Sequence, residues 1–370
     1  MVNSVRKNKL APVFFLMILG LSSCTASSVR DSQGMRTVTI AAWNVQALFD
    51  GTETGNEYGE YTASSGWSKE KYLARLTFLS QGVDLISADI LAMIEVENPQ
   101  ILETLSSDLL AKQKYHWNFF ANNPGASLGI GVLSRFPFIR TKTHSAVYGE
   151  ETTPRPVLEV WLEPAGRPLV LFICHWKSKL GGDKNTEPLR RASARIINRR
   201  MEEIRQEYPE IPVIILGDLN ENHDEFYRQK GAYVSALLPD DPGAAEAAGK
   251  IPAGVRARDD FLIISGEKPP RAEHFPRGSR AFYSPWEIEL SPGSYYYQDT
   301  WETIDHLLLS EALFDNSGWD FDSCQAVAQE PFLNAQGYPN AYNPRTGFGL
   351  SDHLPLKLVL RQSSPGVPAD

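Results

Sequence analysis

The chain has 370 residues, of which 42% are hydrophobic and 11% aromatic, and a formal net charge of −9 at neutral pH. This length and composition provide enough apolar side chains for one large core or two packed sheets, which agrees with a catalytic domain. The acidic balance excludes a protein that coats nucleic acid generally, because such proteins carry a strong positive charge. After the N-terminus, no apolar run of the sequence approaches the length of a membrane span.

The first residues of the chain have the features of a targeting segment. Three basic residues precede an apolar run from Leu10 to Leu21, which is short for a transmembrane helix but usual for the hydrophobic part of a signal peptide. The sequence Leu21-Ser-Ser-Cys24 then resembles the processing site of a bacterial lipoprotein, in which the cysteine is lipidated and becomes the first residue. We predict a lipoprotein signal peptide over residues 1–23, lipid attachment at Cys24 and a flexible tether over residues 24–35. A plain signal peptide with an incidental cysteine is the alternative.

The most informative stretch of the sequence is the apolar run from Val213 to Leu216. It predicts a buried strand that ends at Gly217, after which Asp218 and Asn220 appear where the chain leaves the core. A carboxylate and a carboxamide two residues apart at a strand end can point the same way and share one phosphate or one attacking water. A polar turn is the alternative interpretation, because Gly, Asp and Asn are the commonest turn residues.

The same arrangement recurs along the chain. Further strand-like runs stand directly beside other polar side chains that can do chemistry, namely Asn44, Glu95, His175, Asp305 and the pair in Ser351-Asp352-His353. A single Asp or His at the edge of a core is usually a hydrated turn residue or a satisfied histidine. Several such residues on one rim are difficult to explain as unrelated turns, so we expect them to form one site.

Helical patterns fit between these strands. Ser68 is a suitable N-cap for a helix that we expect to run to about Ser80, with a glycine beyond its end. Asn98 and the proline after it open a second helix, and Pro188 suits the first turn of a third. Residues 236–300 are rich in Gly, Pro and Tyr, lack periodicity and are predicted to form long surface loops.

The predicted mature chain keeps two more cysteines, Cys174 and Cys324. They could pair in an oxidising periplasm, but Cys174 ends an apolar strand beside His175, so a buried free thiol is an equal alternative. The sequence has no Cys-x-x-Cys motif and no Cys/His spacing of the zinc type, which argues against a structural zinc site.

Taken together, the motifs resemble those of the endonuclease/exonuclease/phosphatase family, the deoxyribonuclease I-like superfamily. They occur in the family's order and span nearly the whole predicted mature chain: Trp43-Asn44, Ile94-Glu95-Val96-Glu97-Asn98, His175-Trp176-Lys177-Ser178, Gly217-Asp218-Leu219-Asn220, Thr303-Ile304-Asp305 and Ser351-Asp352-His353. The residues in and around these motifs are similar to those of the secreted bacterial branch of the family. The resemblance implies a four-layer α/β sandwich with its active site at one rim, in which helices flank two packed and mainly antiparallel sheets. We expect this catalytic domain over residues 36–362 and a C-terminal tail over residues 363–370, whereas periodicity alone supports only an α/β protein with many strands.

The residue types of the expected site suit phosphodiester hydrolysis. This reaction needs charge neutralisation, an aligned water and stabilisation of a poor leaving group. Mg²⁺ prefers oxygen ligands and often binds through one or two carboxylates plus substrate phosphate, so we expect it at Glu95, with Asn44 and Asp352 assisting. Mn²⁺ or Ca²⁺ could substitute for it.

The remaining site residues are expected to act on water and phosphate. Asp218 and Asn220 would orient and activate the attacking water. His353, held in one tautomer by Asp305, would act on the phosphate or as a general base. The resemblance implies that His175 stabilises or protonates the leaving group, and the sequence leaves open which histidine is the acid and which the base.

A basic stretch begins directly after the His175 motif and runs from Lys177 to Arg205, with nine basic and four acidic residues. It could receive a polyanion backbone, and Lys177 is predicted to contact substrate. A solvated helix face is the preferred interpretation of its second half. Arg155, which lies between two prolines before a strand, is another candidate phosphate contact, with a structural arginine as the alternative.

Three functions are compatible with these observations. The leading interpretation is a metal-dependent nuclease of the cell envelope that is lipid-anchored to a bacterial membrane and acts on DNA or RNA as a monomer. It is favoured by the similarity to the secreted bacterial branch and by the basic stretch. A phospholipid or sphingomyelin phosphodiesterase is the alternative, which the lipid anchor would place near its substrate and which a solvent-exposed aromatic hairpin would favour. A catalytically inactive surface-binding lipoprotein would be expected to have lost its metal and water-activating residues, and all of them are present.

Overall fold

The structure is a computed structural model that describes residues 36–240 and 259–363. The predicted signal peptide and tether, and almost all of the predicted C-terminal tail, lie outside the described residues. Within the two described ranges, no helix has the length and apolar character needed to cross a membrane.

The described residues contain eighteen strands and four α-helices, joined by short 3₁₀ turns and one π turn (Leu105–Leu109). The helices are α1 (Lys69–Ile86), α2 (Pro99–Thr104), α3 (Asp183–Glu207) and α4 (Glu225–Arg228). The strands are β1 (Thr37–Leu48), β2 (Ile90–Val96), β3 (Trp117–Ala121), β4 (Gly129–Ser134), β5 (Phe138–His144), β6 (Val147–Tyr148), β7 (Glu151–Thr152), β8 (Val157–Leu162), β9 (Leu169–His175), β10 (Val213–Asp218), β11 (Leu237–Pro239), β12 (Leu262–Ser265), β13 (Ala281–Tyr283), β14 (Tyr295–Tyr297), β15 (Thr300–Glu302), β16 (Asp305–Leu309), β17 (Trp319–Ala326) and β18 (Leu356–Gln362).

Two large sheets form the body of the fold. The first sheet has six strands in the order β17-β18-β1-β2-β4-β3, and β1 with β2 is its one parallel pairing among the described strands. The second sheet has eight strands in the order β11-β12-β13-β16-β10-β9-β8-β5. Three of its pairings are parallel, namely β9 with β10, β11 with β12 and β12 with β13, so this sheet is more mixed than the mainly antiparallel arrangement that we expected.

Alternate residues of the central strands face different layers. In β1, Ile40 packs between the two sheets, whereas Trp43 belongs to the buried cluster that includes α1. In β9, Leu171 packs between the sheets, whereas Phe172 belongs to the buried cluster that includes α3. Strands that are buried on both faces appear in a sequence as continuous apolar runs, which explains the runs seen in this chain. The expected four-layer α/β sandwich is therefore confirmed.

Helix α1 is longer than the sequence predicts. Ser68 caps it as expected, since its Oγ accepts a hydrogen bond from a backbone N–H of the first turn at 3.4 Å. The helix nevertheless continues to Ile86 instead of ending near Ser80. Gly82 lies inside it and packs against Trp43, where a Cβ would come within 3.2 Å of the indole. A larger residue at position 82 would push on this indole, and the expected place of Gly82 beyond the end of the helix is wrong.

Helix α3 differs from prediction at its start and in its charges. It begins at Asp183, so the placement of Pro188 in its first turn is wrong. The arginines of its basic stretch are paired with carboxylates, most of them from other parts of the described chain: Arg190 with Glu187 of the same helix and with Glu221, Arg191 and Arg195 with Asp260, Arg199 with Asp259, Arg200 with Glu159, and Arg205 with Glu311. The second half of the stretch is therefore a neutralised helix face and does not form a surface for a polyanion.

Residues 236–300 contain more regular structure than predicted. Strands β11, β12 and β13 extend the second sheet, and β14 pairs with β15 in a separate hairpin. These strands have three or four residues each, which is too short for hydrophobic periodicity to reveal. Residues 241–258 of this stretch lie outside the described residues.

Cys174 and Cys324 are both free thiols, and Cys174 is buried. Of the two alternatives that the sequence allows, the structure therefore has the buried free thiol.

Candidate active site

The second sheet contributes a row of three buried polar side chains at one edge. In the register of this sheet, Asp218 lies opposite His175 of the parallel strand β9 and opposite Asp305 of the antiparallel strand β16. Neighbouring strands lie about 4.8 Å apart, so residues paired in register are within reach of each other. The three motifs meet because β9 and β10 end, and the antiparallel strand β16 begins, at the same edge.

Gly217 makes this close approach possible. Its φ is 119°, and a Cβ at this position would lie 2.2 Å from the carbonyl oxygen of Cys174. No side chain fits there without separating β9 from β10. Strand β10 continues through Gly217 to Asp218, so the prediction that the glycine ends the strand is wrong.

The first sheet contributes Asn44 and Glu95 from the parallel neighbours β1 and β2. The pairing of these strands shifts register after Asn44, and Gln46, Ala47 and Glu95 take φ angles of 55°, 49° and 68°. Positive φ is uncommon for residues with a side chain and costs free energy. The Oε2 of Glu95 accepts a hydrogen bond from the backbone N–H of Ala47 at 2.7 Å. Irregular backbone therefore places Glu95, and regular strand pairing does not.

A buried arginine of α1 supports this irregular segment. The guanidinium of Arg75 donates hydrogen bonds to the carbonyl oxygens of Val45 (2.7 Å), Gln46 and Ala47 (2.9 Å). It also lies 3.9 Å from the ring centre of Tyr342, in cation–π contact. Buried carbonyl groups need partners, so Arg75 stabilises the segment that holds Glu95. The local sequence gives no sign of this role, because Arg75 is as much as 30 residues from the carbonyl groups that it binds and Tyr342 is still more distant in the chain.

Two contacts bring the two sheets together at the rim. The side-chain amide of Asn44 donates a hydrogen bond to Oδ2 of Asp218 at 3.0 Å. The Nε2 of His175 lies 3.5 Å from Oε1 of Glu95 and 3.6 Å from Oδ2 of Asp218. Four of the predicted site residues therefore form one cluster.

Asp305 and His353 make a third contact between the sheets. The Nδ1 of His353, in the loop before β18, lies 2.7 Å from Oδ2 of Asp305, so the predicted hydrogen bond is present. The hydroxyl of Ser294 donates to the same oxygen at 2.6 Å. The ring of Tyr295 lies 4.7 Å from the imidazole, and the indole N–H of Trp43 donates to the carbonyl oxygen of His353 at 3.1 Å. Ser294 fixes the carboxylate of the pair, a role that the sequence analysis missed.

Asn220 and Asp352 lie at the border of the cluster. The backbone N–H of Asn220 donates to Oδ1 of Asp218 at 2.8 Å, and its side-chain amide donates to the carbonyl oxygen of Trp176 at 3.1 Å. Asp352 is more open, with 33% of its side chain exposed, and its Oδ1 lies 4.0 Å from Nε2 of His353. The structure thus brings all the predicted metal and catalytic residues to one rim.

Burial and neighbouring charges set the protonation of the central groups. Burial raises the pKa of Asp218, and the charge of Asp305 adds to this effect, giving a pKa of about 7. Burial alone would lower the pKa of His353, but the attraction and hydrogen bond of Asp305 raise it to about 10. Burial lowers the pKa of His175 well below its usual value, and the nearby charges of Arg155 and His353 lower it further. At neutral pH His353 is charged, His175 is neutral and Asp218 is partly protonated.

Glu95 fits the role of ligand to a divalent cation. Its Oε2 is held by the backbone, whereas its Oε1 accepts no hydrogen bond from the residues that the structure describes. An oriented carboxylate oxygen with free lone pairs suits Mg²⁺. The side-chain oxygen of Asn44 accepts one hydrogen bond, from the N–H of Gln46 at 3.0 Å, and keeps a second lone pair. Asp352 could add a second carboxylate.

A different group, Asp218, Asp305 and His353, also offers three potential ligand atoms within 4.8 Å of one another. It is less suitable for a metal ion. The Oδ2 of Asp305 is already bound by Ser294 and His353, and the raised pKa of His353 keeps protons on both ring nitrogens. A protonated imidazole has no lone pair for a metal.

Arg155 and Lys177 line what we call the cationic cavity, which has a volume of about 320 Å³ and which Arg155 connects to Glu95. One terminal nitrogen of Arg155 donates to the carbonyl oxygen of Trp176 at 3.1 Å, and the other lies 3.9 Å from Oε1 of Glu95. The ammonium of Lys177 donates to the carbonyl oxygens of Ser178 (3.1 Å) and Leu180 (3.2 Å) and to the hydroxyl of Ser178 (3.3 Å). The rest of the lining comes from Tyr58, Gly125, Ala126, Ser127, Leu128, Pro154 and Ser178.

A second buried arginine supports the loops of the second sheet. Arg190 of α3 donates to the carbonyl oxygens of Lys177 (3.0 Å) and Asp183 (2.9 Å), and pairs with Glu187 (2.6 Å) and Glu221 (3.3 Å). Glu221 directly follows Asn220, so this network ties the loop after β9 to the loop after β10. The sequence shows Arg190 only as part of a basic stretch.

An α/β sandwich with carboxylate, amide and histidine side chains at one rim belongs to the deoxyribonuclease I-like class of folds. The sequence profile of the Endonuclease/Exonuclease/phosphatase family matches residues 39–236, more than half of the chain, and the chain belongs to this family. The family's fold is that of metal-dependent phosphodiesterases and nucleases. Asp305 and His353 lie beyond the matched residues. None of the curated proteins compared with the chain matches it.

Several solved structures share the fold at low sequence identity. Truncated Caenorhabditis elegans TDP2 has 15% identity and a TM-score of 0.52, over 88% of this chain and 98% of that chain. D. rerio TDP2 complexed with single strand DNA product has 16% identity and a TM-score of 0.52, over 89% and 99%. The human Nocturnin catalytic domain with bound sulfate anion has 15% identity and a TM-score of 0.51, over 90% and 95%. At these identities the likeness establishes the fold alone.

Proposed function

We propose that this protein is a metal-dependent phosphodiester hydrolase whose substrate is DNA or RNA. The observation that carries the proposal is the meeting at one rim of a charged histidine (His353), a carboxylate with a pKa of about 7 (Asp218) and a carboxylate with an unsatisfied oxygen (Glu95). Phosphodiester hydrolysis needs these three properties together: a positive charge for the phosphate, a base for water and an anchor for a cation.

His353 supplies a fixed positive charge to the phosphate. Asp305 holds the imidazolium through Nδ1, and Ser294 holds the carboxylate of Asp305. A charge that is already oriented needs no reorganisation when negative charge develops on the phosphate oxygens during attack.

Asp218 is the base for the attacking water. With a pKa of about 7, a large share of its side chains are carboxylates at neutral pH and can accept a proton. Asn44 donates to one of its oxygens and the backbone of Asn220 donates to the other, so the carboxylate is fixed in direction.

His175 stabilises the leaving oxygen as a neutral imidazole. Burial keeps its pKa low, so it offers an N–H hydrogen bond and carries no charge. In this proposal His353 carries the positive charge and His175 is a neutral hydrogen-bond donor. The sequence alone leaves the roles of the two histidines open. A divalent cation bound at Glu95, with Asn44 and Asp352, would supply further positive charge to the phosphate.

Two observations support a nucleic acid over a lipid as substrate. The cationic cavity beside Glu95 offers Arg155 and Lys177 to a second phosphate of a polyanion. The hairpin of β14 and β15 exposes one aromatic ring, Tyr297, which is 54% exposed. The other two rings of β14 are covered, since Tyr295 packs on His353 and Tyr296 stacks on Tyr338 at 3.9 Å, and the turn between the strands is the polar pair Gln298-Asp299, so the hairpin has no continuous apolar tip. One solved structure with this fold, D. rerio TDP2, holds a single strand DNA product.

An activity panel tests the proposal. The purified mature protein is assayed with plasmid DNA, RNA, sphingomyelin vesicles and an aryl phosphodiester, each with Mg²⁺, Mn²⁺, Ca²⁺ or excess EDTA. We expect hydrolysis of nucleic acid with Mg²⁺ or Mn²⁺ and none in EDTA. Hydrolysis confined to sphingomyelin would replace the nuclease by the lipid enzyme, and full activity in EDTA would contradict the metal dependence. Inactivity on every substrate would favour a surface-binding protein.

We propose also that lipid attached at Cys24 anchors the protein to a bacterial membrane in the cell envelope. Cys24 follows Leu21-Ser-Ser directly after the apolar run of the targeting segment. The variant Cys24→Ser should lose lipid attachment and leave the membrane fraction. A wild-type protein found outside the membrane fraction, with an unmodified N-terminus beyond Cys24, would contradict the anchor.

A further inference from the structure

A second cavity, whose lining shares no residue with the cationic cavity, adjoins the site. It has a volume of about 600 Å³, and its lining includes Asn220, whose backbone N–H donates a hydrogen bond to Asp218. We call it the aromatic cavity because Tyr295 and Tyr297 of strand β14 lie in its wall. Its other lining residues are Lys179, Leu180, Gly181, Asp183, Gln298, Glu302 and Ile304.

The two tyrosines form a column of rings that starts at the catalytic histidine. Tyr295 lies 4.7 Å from the ring centre of His353. Tyr297 stacks on Tyr295 with ring centres 6.1 Å apart and planes inclined by 18°. Tyr297 is 54% exposed, although large aromatic side chains are usually covered. The column therefore ends in a ring that has room for another flat group.

The polar groups of the aromatic cavity suit a nucleobase better than a phosphate. Lys179 is the one cation among its lining residues, and its ammonium is bound by Glu225 at 2.6 Å. Asp183 and Glu302 place carboxylates in the lining, which would repel phosphate but can accept hydrogen bonds from the amino groups of a base or the hydroxyls of a sugar. The cationic cavity has the opposite character, with Arg155 and Lys177 and no carboxylate in its lining.

We propose that Tyr297, supported by Tyr295, is a stacking subsite for one unpaired base next to the scissile phosphate, so that the preferred substrate is single-stranded nucleic acid. This inference rests on the proposed nuclease function. In a duplex the faces of each base are covered by neighbouring bases, so a base can stack on protein only when it is unpaired or extruded. The chain on the other side of the scissile phosphate then runs toward the cationic cavity.

The test compares Tyr297→Ala, Tyr297→Phe and Tyr297→Leu with the wild-type protein on a short single-stranded oligonucleotide and on the same strand with abasic sites beside the cleaved bond. Loss of one base–aromatic stack should raise KM roughly tenfold for Tyr297→Ala, while Tyr297→Phe stays near wild type. On the abasic strand the wild type should already show the raised KM, and Tyr297→Ala should add nothing. Tyr208→Ala removes a tyrosine that is 42% exposed at the end of α3 and serves as the matched control.

Three results would overturn the subsite. They are an unchanged KM for Tyr297→Ala, an equal loss for Tyr297→Ala on intact and abasic strands, or full retention of KM by Tyr297→Leu. The last result would mean that an apolar contact is sufficient and that stacking of a base on the ring is not what binds the strand.

A binding measurement separates this inference from the proposed function. In EDTA, quenching of a fluorescent aminopurine base in a short single strand reports stacking without hydrolysis, and we expect quenching by the wild type and not by Tyr297→Ala. A wild-type protein that hydrolyses no nucleic acid but still quenches the base would refute the nuclease and keep the stacking subsite. A protein that cleaves nucleic acid without quenching would keep the nuclease and refute the subsite.

Discussion

The two sheets hold their halves of the site by different physical means. The second sheet places His175, Asp218 and Asp305 by strand register alone, because the three residues are direct partners in the ladder. The first sheet places Glu95 through a register shift and positive φ angles, with Arg75 bound to the carbonyl oxygens of the irregular segment. Regular pairing costs no strain, whereas the irregular segment depends on a remote side chain.

This difference suggests which half is easier to disturb. The half with regular register should withstand changes outside the three residues themselves and Gly217, where no side chain fits, since backbone hydrogen bonds define it. The irregular half should respond to changes at positions that touch neither substrate nor metal. The following substitutions test the comparison, beginning with the largest expected effect.

Glu95→Gln should remove the charge that the first sheet supplies to the metal. The substitution keeps the size of the side chain and the hydrogen bond with Ala47, so folding should change little. We expect kcat/KM to fall by about a thousandfold or more, since metal charge is worth several kcal/mol to the transition state. Kinetics with Mg²⁺ and thermal unfolding of both proteins check this. An active Glu95→Gln enzyme would show that Glu95 is not the anchor of the metal.

Asp305→Ala and His353→Ala should each break the pair that joins the two sheets. We expect each to lose about a hundredfold or more in kcat, as for a lost general acid–base or charge-stabilising group. The double variant should be scarcely worse than either single one, because residues that act as a unit are not additive. Single-turnover hydrolysis by the four proteins checks this. Losses that multiply would mean that Asp305 and His353 work separately.

Arg75→Leu should disturb Glu95 without touching it. Three buried carbonyl groups lose their donor, so the segment that donates to Glu95 loses its support. We expect Mn²⁺ affinity to fall roughly tenfold to a hundredfold, as for other residues that orient a metal ligand. Titration calorimetry measures the affinity, and Arg190→Leu, the buried arginine behind the second sheet, is the matched control with a smaller expected change. Equal losses of affinity in both variants would contradict the difference between the two halves.

Glu159→Gln tests a position of the second sheet that is away from the site. The carboxylate contacts His144 at 2.7 Å, Trp161 at 2.7 Å and Arg200 at 2.8 Å. Burial raises its pKa, but the hydrogen bonds from His144, Arg200 and Trp161 lower it more, so the pKa lies far below its usual value. We expect a loss of about 1–3 kcal/mol in the free energy of unfolding at pH 7, with activity unchanged.

The pH dependence of that loss has a definite sign. A carboxylate with a lowered folded-state pKa stabilises the protein fully above its unfolded pKa, and this stabilisation is lost as the pH falls through the folded pKa. The difference between wild type and Glu159→Gln should therefore be constant at neutral pH and shrink below a pH of about 4.5, the ordinary pKa of glutamate. Urea unfolding at a series of pH values measures it, and a difference that grows on acidification would contradict the assignment.

The sequence predicts the half of the site that the second sheet holds, because those residues lie directly beside apolar runs. Asp218, His175 and Asp305 each end or begin an apolar run, and strands that meet at one edge bring such residues together. Glu95 is also visible in this way, but Arg75 and Ser294 are not, because their partners are distant in the chain and neither lies beside an apolar run. The fold follows from the order of the motifs. What the sequence could not predict depends on tertiary contacts, such as the burial of Gly82 against Trp43 and the formation of strands of only three or four residues.

Strand β18 lies in the interior of the first sheet, between β17 and β1, although it is the last strand of the described chain. It follows directly after His353, and the loop that carries this histidine packs against Asn44 through the hydroxyl of Ser351 at 2.6 Å. A chain that is still being synthesised, or one cut short before Ser351, lacks both the neighbour of β1 and the charged histidine. Under the proposed function, we therefore expect a chain cut short before Ser351 to hydrolyse no substrate.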